Sequence, residues 1–199
     1  MFGFLLTSLL LEITPGPNMT YLATVAMSRG RASALMAVAG VALGLLSIGV
    51  LSAIGLAELL NAAPVAYTAL RYGGIVYMLY LAWDIWSGAG QEGELEDAGF
   101  SSFRRGLFVN VLNPKAALFY VSVLPGFIVP SRGSVLVQNL QLVLIYVLVA
   151  TSVHVSIVLF AAKLRAASLF AGKDQQIARL MALSLVGVAA WLAWDTRNS

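Results

Sequence analysis

Six long apolar runs dominate this sequence, and they leave few architectures open. A helix needs about 20 apolar residues to cross a ~30 Å hydrocarbon core. Windows of that kind run over Phe2–Met27, Ala32–Leu60, Pro64–Ser87, Gly106–Val129, Gln138–Ala162 and Ile177–Trp194. Charged residues make up 11% of the chain, against roughly 25% in a soluble domain, and they cluster between the runs. Mean hydropathy is +0.87. A soluble fold would have nowhere to put so much apolar surface. The expected fold class is therefore all-α integral membrane, with about six transmembrane helices. The N-terminal stretch lacks a basic leader and a small-x-small cleavage site, and its apolar run continues past Pro17, so it reads as a retained first span.

Topology follows from counting Lys and Arg in the connections. One side collects eight: Arg29, Arg31, Arg104, Arg105, Lys163, Arg165, Lys173 and Arg179. The other collects three: Arg71, Arg132 and Arg197. The basic side belongs in the cytoplasm, which places both termini in the periplasm. The formal charge of +3 is then a property of cytoplasmic loops and not of a nucleic-acid surface. A longer connection, residues 88–105, carries Glu92, Glu94, Glu96 and Asp97 and divides the chain into halves 1–87 and 106–199. With three spans in each half, the two must sit upside down relative to each other. Ser28-Arg29-Gly30 after the first span and Ser131-Arg132-Gly133 after the fourth give a short matching repeat.

The first and fourth spans are each interrupted by proline. Around Thr14-Pro15-Gly16-Pro17-Asn18, two prolines remove the N–H partners of the Leu11 and Ile13 carbonyls. They also push Thr14 and Gly16 out of the α region. In the fourth span, Asn113 is a favoured N-cap and Pro114 a favoured first helical residue. A fresh half-helix should start there, with free N–H groups attracting an anion. Such free backbone survives at membrane depth only when buried in protein or facing a water-filled cavity. Paired broken spans in two halves point to the substrate site of a secondary transporter.

Lys115 adds a positive charge inside the fourth span, where a cation costs roughly 3 kcal/mol. Glu12, among leucines and isoleucine, either suits proton coupling or pairing with a substrate ammonium, or is a helix-end acid on a short first span, since only eleven residues precede it. His154, inside the fifth span, is either a hydrogen-bonded structural residue or a proton relay. Asp84 and Asp195, beside tryptophans, read as interfacial residues. Gly40 and Gly44 form a small-xxx-small pair suited to close helix approach. The absence of cysteine removes disulfides, thiolate metal sites and dithiol redox relay.

These residues carry a family resemblance. TPGPNM at 14–19 followed by SRG at 28–30 resembles the first-span signature of the lysine/homoserine–threonine exporter family (LysE/RhtB). Gly40 and Gly44 continue the pattern, and Gly74 with Tyr77, Tyr80 and Leu81 resembles its third-span motif. Phe103, Gly106, Asn110 and NPKA at 113–116, then Phe119, Pro125 and Phe127, match its fourth-span signature. The likeness covers most of residues 5–130; the last two spans match in hydropathy alone. Ser47 stands where many members carry histidine, Gly126 replaces a frequent glutamine, and the N-terminus is shorter.

The resemblance implies a bacterial inner-membrane exporter that expels an amino acid or derivative in exchange for protons. It points to Pro15, Gly16, Pro17, Asn18, Asn110, Asn113, Pro114 and Lys115 as the substrate site; Glu12 and His154, read from their own places within apolar spans, are the proton-coupling candidates. The expected partners are a small amino acid, protons and the lipid bilayer, with no nucleic acid, no cofactor and no metal, and the oligomeric state is left open. No catalytic pair is evident, so the chain is not expected to be an enzyme. A metal-ion exporter would need several clustered carboxylates, histidines or thiols. A non-transporting assembly subunit would leave the paired proline breaks and Lys115 without a purpose.

Overall fold

The computed structural model describes residues 1–56, 64–87, 95–166 and 174–197. Glu92, Glu94 and Lys173 lie outside the described residues, as do the side chains of Arg71, Glu96, Asp97, Asp195 and Arg197. Among the described residues the secondary structure is helical and no strand occurs.

The first span is two helices, α1 (Phe2–Ile13) and α2 (Pro17–Ser28), of 12 residues each. At 1.5 Å per residue each is ~18 Å long, so the break at Thr14–Gly16 falls near the middle of a ~30 Å core. α3 (Arg31–Leu51) ends in a π turn at Ser52–Leu56, and α4 covers Pro64–Ser87. The fourth span comprises α5 (Leu95–Val111) and α6 (Pro114–Leu118), prolonged by a π turn at Phe119–Val123 and a 3₁₀ turn at Leu124–Phe127. α7 (Val135–Arg165) and α8 (Asp174–Arg197) complete the bundle.

Three segments, Arg31–Gly55, Val135–Arg165 and Gln175–Trp194, are each long and apolar enough to cross a bilayer. Gly99–Val111 and Pro114–Phe127, bent by 50°, make a fourth. The α1–α2 pair and the 24 residues of α4 have the length for the other two. Leu9, Leu10, Leu144, Leu148, Phe160 and Trp191 point out of the bundle, an apolar exterior that water would not tolerate but lipid does.

One boundary departs from the sequence expectation. The apolar window of the fourth span opens at Gly106, yet the helix opens at Leu95. Hydropathy falls at Arg104 and Arg105, whereas backbone hydrogen bonding continues through them. The break at Leu112–Asn113 thereby lies within the span instead of near its start.

The halves exchange partners as inverted repeats should. The first span packs on the fifth, and the fourth correspondingly packs on the second. The first also packs on the sixth and the fourth on the third, while the second meets the fifth and the third meets the sixth. The two Ser-Arg-Gly segments share an unusual backbone: Gly30 has φ 87 and ψ 177, and Gly133 has φ 115 and ψ −159. Both values lie where a side chain is strained, which is why glycine closes each motif before the next span begins.

Gly40 and Gly44 lie on the seam between α3 and α5. A Cβ on Gly40 would stand 1.9 Å from the Phe103 carbonyl oxygen, and one on Gly44 would stand 2.9 Å from Asn110 Nδ2. Gly106 answers from the other helix, where a Cβ would stand 2.2 Å from the Ala37 carbonyl oxygen. Backbone meets backbone along this seam, which positions Asn110 in the interior.

Candidate functional site

The two proline breaks meet in the middle of the bundle. Gly16 is extended (φ −172, ψ −178) and Pro17 opens α2; Asn113 is extended (φ −86, ψ 107) and Pro114 opens α6. The Asn113 side chain caps α6 by accepting from the Lys115 N–H at 3.0 Å. Proline at the first helical position costs nothing, because that N–H has no helical acceptor in any case.

Lys115 reaches from the α6 start to the end of α1. Its Nζ donates to the carbonyl oxygens of Leu11 at 2.5 Å and Thr14 at 2.7 Å. A cation at the C-terminal end of a helix meets both the orphan carbonyls and the negative end of the dipole. The Leu11 carbonyl, which loses its usual partner at Pro15 and accepts from the Thr14 N–H at 3.2 Å, is thereby occupied by the protein's own ammonium as well. Gly16 makes room for the lysine stem, since a Cβ there would stand 3.3 Å from Lys115 Cδ.

Glu12 and His154 are in contact. His154 Nε2 lies 3.1 Å from Glu12 Oε2, and Tyr146 donates its hydroxyl to Glu12 Oε1 at 2.5 Å. Glu12 is 6% exposed and His154 1%. The pairing follows from two four-residue strides: Phe4, Ser8 and Glu12 form the buried face of α1, and Tyr146, Ala150, His154 and Val158 that of α7. The Tyr146 ring also stacks on Phe119 at 3.9 Å, and Phe119 lies 5.9 Å from Phe4, which in turn meets Phe127 at 5.2 Å. This aromatic group extends from Glu12 toward the end of the bundle that carries Met1 and Arg132.

Asn18 and Asn110 join the halves directly, Nδ2 of the first donating to Oδ1 of the second at 2.8 Å. Asn18 Oδ1, Asn110 Nδ2 and His154 Nδ1 are buried without a hydrogen-bond partner. Unpaired buried groups of this kind are costly and ask for an explanation. Here they form a reserve of donors and acceptors beside the breaks.

A central cavity is lined by Glu12, Thr14, Gly16, Asn18, Asn113 and Lys115, among others. Its volume is ≈ 10 Å³, about the space of one water. Pro15 is exposed, Asn110 stands behind Asn18, and the Pro114 ring turns toward Gly74. The structure thus gathers Gly16, Pro17, Asn18, Asn113, Lys115 and Glu12 around one point, with Pro15, Asn110 and Pro114 as its frame. Tyr146 also lines it, and sequence reasoning did not single it out. Its stride to His154 was the available signal.

Asp84, read as an interfacial residue, carries a structural task in addition. It is 8% exposed and is shared by Arg29 Nη2 at 2.7 Å and by the Arg105 guanidinium, whose Nη2 lies 3.3 Å from Oδ1. Three spans are thereby tied by one carboxylate. Its position near a span end suggested water, but the two arginines converge on it from neighbouring helices. Nearby at the same end, Arg179 lies over the Trp86 ring at 5.4 Å, while Arg31, Lys163 and Arg165 line one cavity. The described residues of that count, Arg29, Arg31, Arg104, Arg105, Lys163, Arg165 and Arg179, gather at one end of the bundle.

Comparison with known proteins agrees with this picture. A family model described as LysE type translocator matches residues 9–196. The homoserine/homoserine lactone efflux proteins of Salmonella typhi and Salmonella typhimurium (strain LT2) are each 33% identical over 135 residues. Those matches span 66% of this chain and 66% of each relative's length, just short of two thirds. An uncharacterised membrane protein of Pseudomonas aeruginosa is 31% identical over 157 residues, covering 74% of this chain and 72% of that one. No solved structure matches the chain.

Proposed function

The chain belongs to the LysE type translocator family, and on that premise we propose that it exports a small amino acid or derivative across the bacterial inner membrane in exchange for protons. The observation that carries this reading is the meeting of both proline breaks at Lys115, beside the Glu12–His154 pair. The relatives described as homoserine and homoserine lactone efflux proteins suggest that substrate class.

In the proposed cycle, Lys115 holds the place of the substrate. Its ammonium sits on the Leu11 and Thr14 carbonyls, where a substrate ammonium would find the same acceptors. An incoming amino acid brings its own ammonium to those carbonyls and offers Lys115 its carboxylate. The N–H groups at the α2 start support that carboxylate. A cavity of ≈ 10 Å³ must widen for this, since ligand sites run to roughly 300 Å³ and more. Rocking of the inverted halves supplies the space.

The proton route runs through Glu12. A proton on Glu12 changes its contact with His154 and the bond from Tyr146, whose ring belongs to the aromatic group that we read as a seal. Proton binding at the centre is thereby linked to opening at one end. The reading assigns the chain no catalytic step, and the termini lie in the periplasm by the count of basic residues.

Transport in inside-out vesicles tests both parts. Lys115→Ala should lower homoserine affinity by ~10-fold or more, as expected when a charged hydrogen bond is lost. Glu12→Gln should abolish uptake driven by a pH gradient while leaving homoserine exchange in place. Unchanged affinity in the first variant, or intact gradient-driven uptake in the second, would remove that residue from its role.

A further inference from the structure

The cavity at the basic end of α4 and α5 has the size and lining the central site lacks. It measures ≈ 530 Å³, within the range of small-molecule sites of roughly 300–1,000 Å³. Tyr77 and Tyr80, stacked at 5.9 Å, form one wall; Phe100, Phe108, Arg104 and Arg105 form the other. Arg104 stands over Phe100 at 6.0 Å and has no carboxylate partner among the described residues. Arg105 faces the same cavity but is held by Asp84, which also holds Arg29.

A path leads inward from that network. Arg29 follows α2, and Asn18, Tyr21 and Val25 lie on the same face of that helix, one turn apart. The Tyr21 hydroxyl is buried without a hydrogen-bond partner. It lies in the field of Arg29, Arg105 and Asp84, and below it Asn18 Oδ1 and Asn110 Nδ2 each lack a partner. Buried polar groups in file, between a roomy cavity and a closed site, are the lining that an aqueous passage needs.

We propose that the α4–α5 cavity is a cytoplasmic entry site for the substrate's carboxylate, and that its occupancy opens the Arg29–Asp84–Arg105 network. A carboxylate bound by Arg104 and Arg105 competes with Asp84 for the Arg105 guanidinium, which favours planar two-point contacts. Release of Arg105 leaves Asp84 with Arg29 alone and loosens the tie between spans three and four. The aromatic walls take the substrate's aliphatic part. The inference rests on the export of an amino acid proposed above.

The absence of cysteine makes a direct test available. A single Val25→Cys places a thiol at a position that is 1% exposed on the inward path. Its reaction with a membrane-impermeant thiol reagent is followed in inside-out vesicles. Homoserine should accelerate labelling by ~10-fold, the scale of one charged contact, whereas homoserine lactone, which has no carboxylate, should not. Arg104→Ala should cancel that acceleration and raise KM for homoserine with little change in kcat, and Arg104→Lys should restore part of it. Asp84→Asn should give fast labelling without any substrate.

Labelling that ignores homoserine while homoserine flux persists would overturn the entry site and leave the export reading standing. Equal acceleration by the lactone would remove carboxylate recognition. Fast labelling set by phosphatidylglycerol content, without homoserine, would assign the cavity to a lipid headgroup instead. Failure of all homoserine flux, with Asp84→Asn still opening the path, would overturn the substrate assignment and keep the gate. If Val25→Cys fails to insert, Leu22→Cys on the adjoining face serves as the reporter.

Discussion

Glu12 illustrates how one side chain can join two tasks. Its carboxylate takes a hydroxyl from Tyr146 and faces His154, while Tyr146 stacks on Phe119. Tyr146→Phe keeps the ring and removes the donor, so it separates the two connections. A hydrogen bond to a charged group is worth ~1.5–3 kcal/mol, and the variant should lose stability within that range. Gradient-driven transport should weaken more than homoserine exchange, as transport in vesicles with and without a pH gradient would show. Identical losses in both would mean that Tyr146 serves packing alone. Glu12, His154 and Lys115 were all legible as isolated polar residues within apolar runs. Their contacts were not, because Glu12 meets His154 only through the packing of α1 on α7. Asp84 was read only in part for the same reason: sequence shows its tryptophan neighbours, and tertiary structure supplies its arginines.

Among the elements, the α3–α5 seam is the most constrained. A Cβ at Gly106 would meet the Ala37 carbonyl oxygen at 2.2 Å, and no side-chain rotation can relieve a clash with backbone. Overpacking that side chains can absorb costs ~1–3 kcal/mol; Gly106→Val should cost at least the upper figure and displace Asn110 from Asn18. Gly126 gives the contrast. A Cβ there meets nothing within 4 Å, so Gly126→Gln should leave the folded yield unchanged. Thermal unfolding and size-exclusion profiles in detergent would distinguish the two; a well-folded Gly106→Val protein would contradict the seam. The small-residue spacing of Gly40 and Gly44 was readable in advance, but not its partner helix. The fourth span was placed too late for a different reason: charge ends a hydropathy window, but a helix continues as long as its carbonyls find donors.

At the scale of the whole molecule, the inverted relation of the halves rests on two independent features. Exchange of packing partners between spans one and four, two and five, and three and six is one. The other is the positive φ of Gly30 and Gly133, each closing a Ser-Arg-Gly motif before the next span. Inversion requires these two motifs to lie on opposite faces of the membrane, and the basic count assigns the first to the cytoplasm. The exposed Ser131 and Ala32, each beside one of these glycines, can be made single cysteines in a chain that has none. With an impermeant thiol reagent, Ser131→Cys should react in intact cells and Ala32→Cys only in inside-out vesicles. Reaction of both from one side would break the inverted arrangement, and with it the reason why two proline breaks meet at one depth. Exchange of the two outcomes would preserve the inversion and reverse the orientation. The aromatic seal would then face the cytoplasm, and the Arg29–Asp84–Arg105 network would guard the exit instead of the entry.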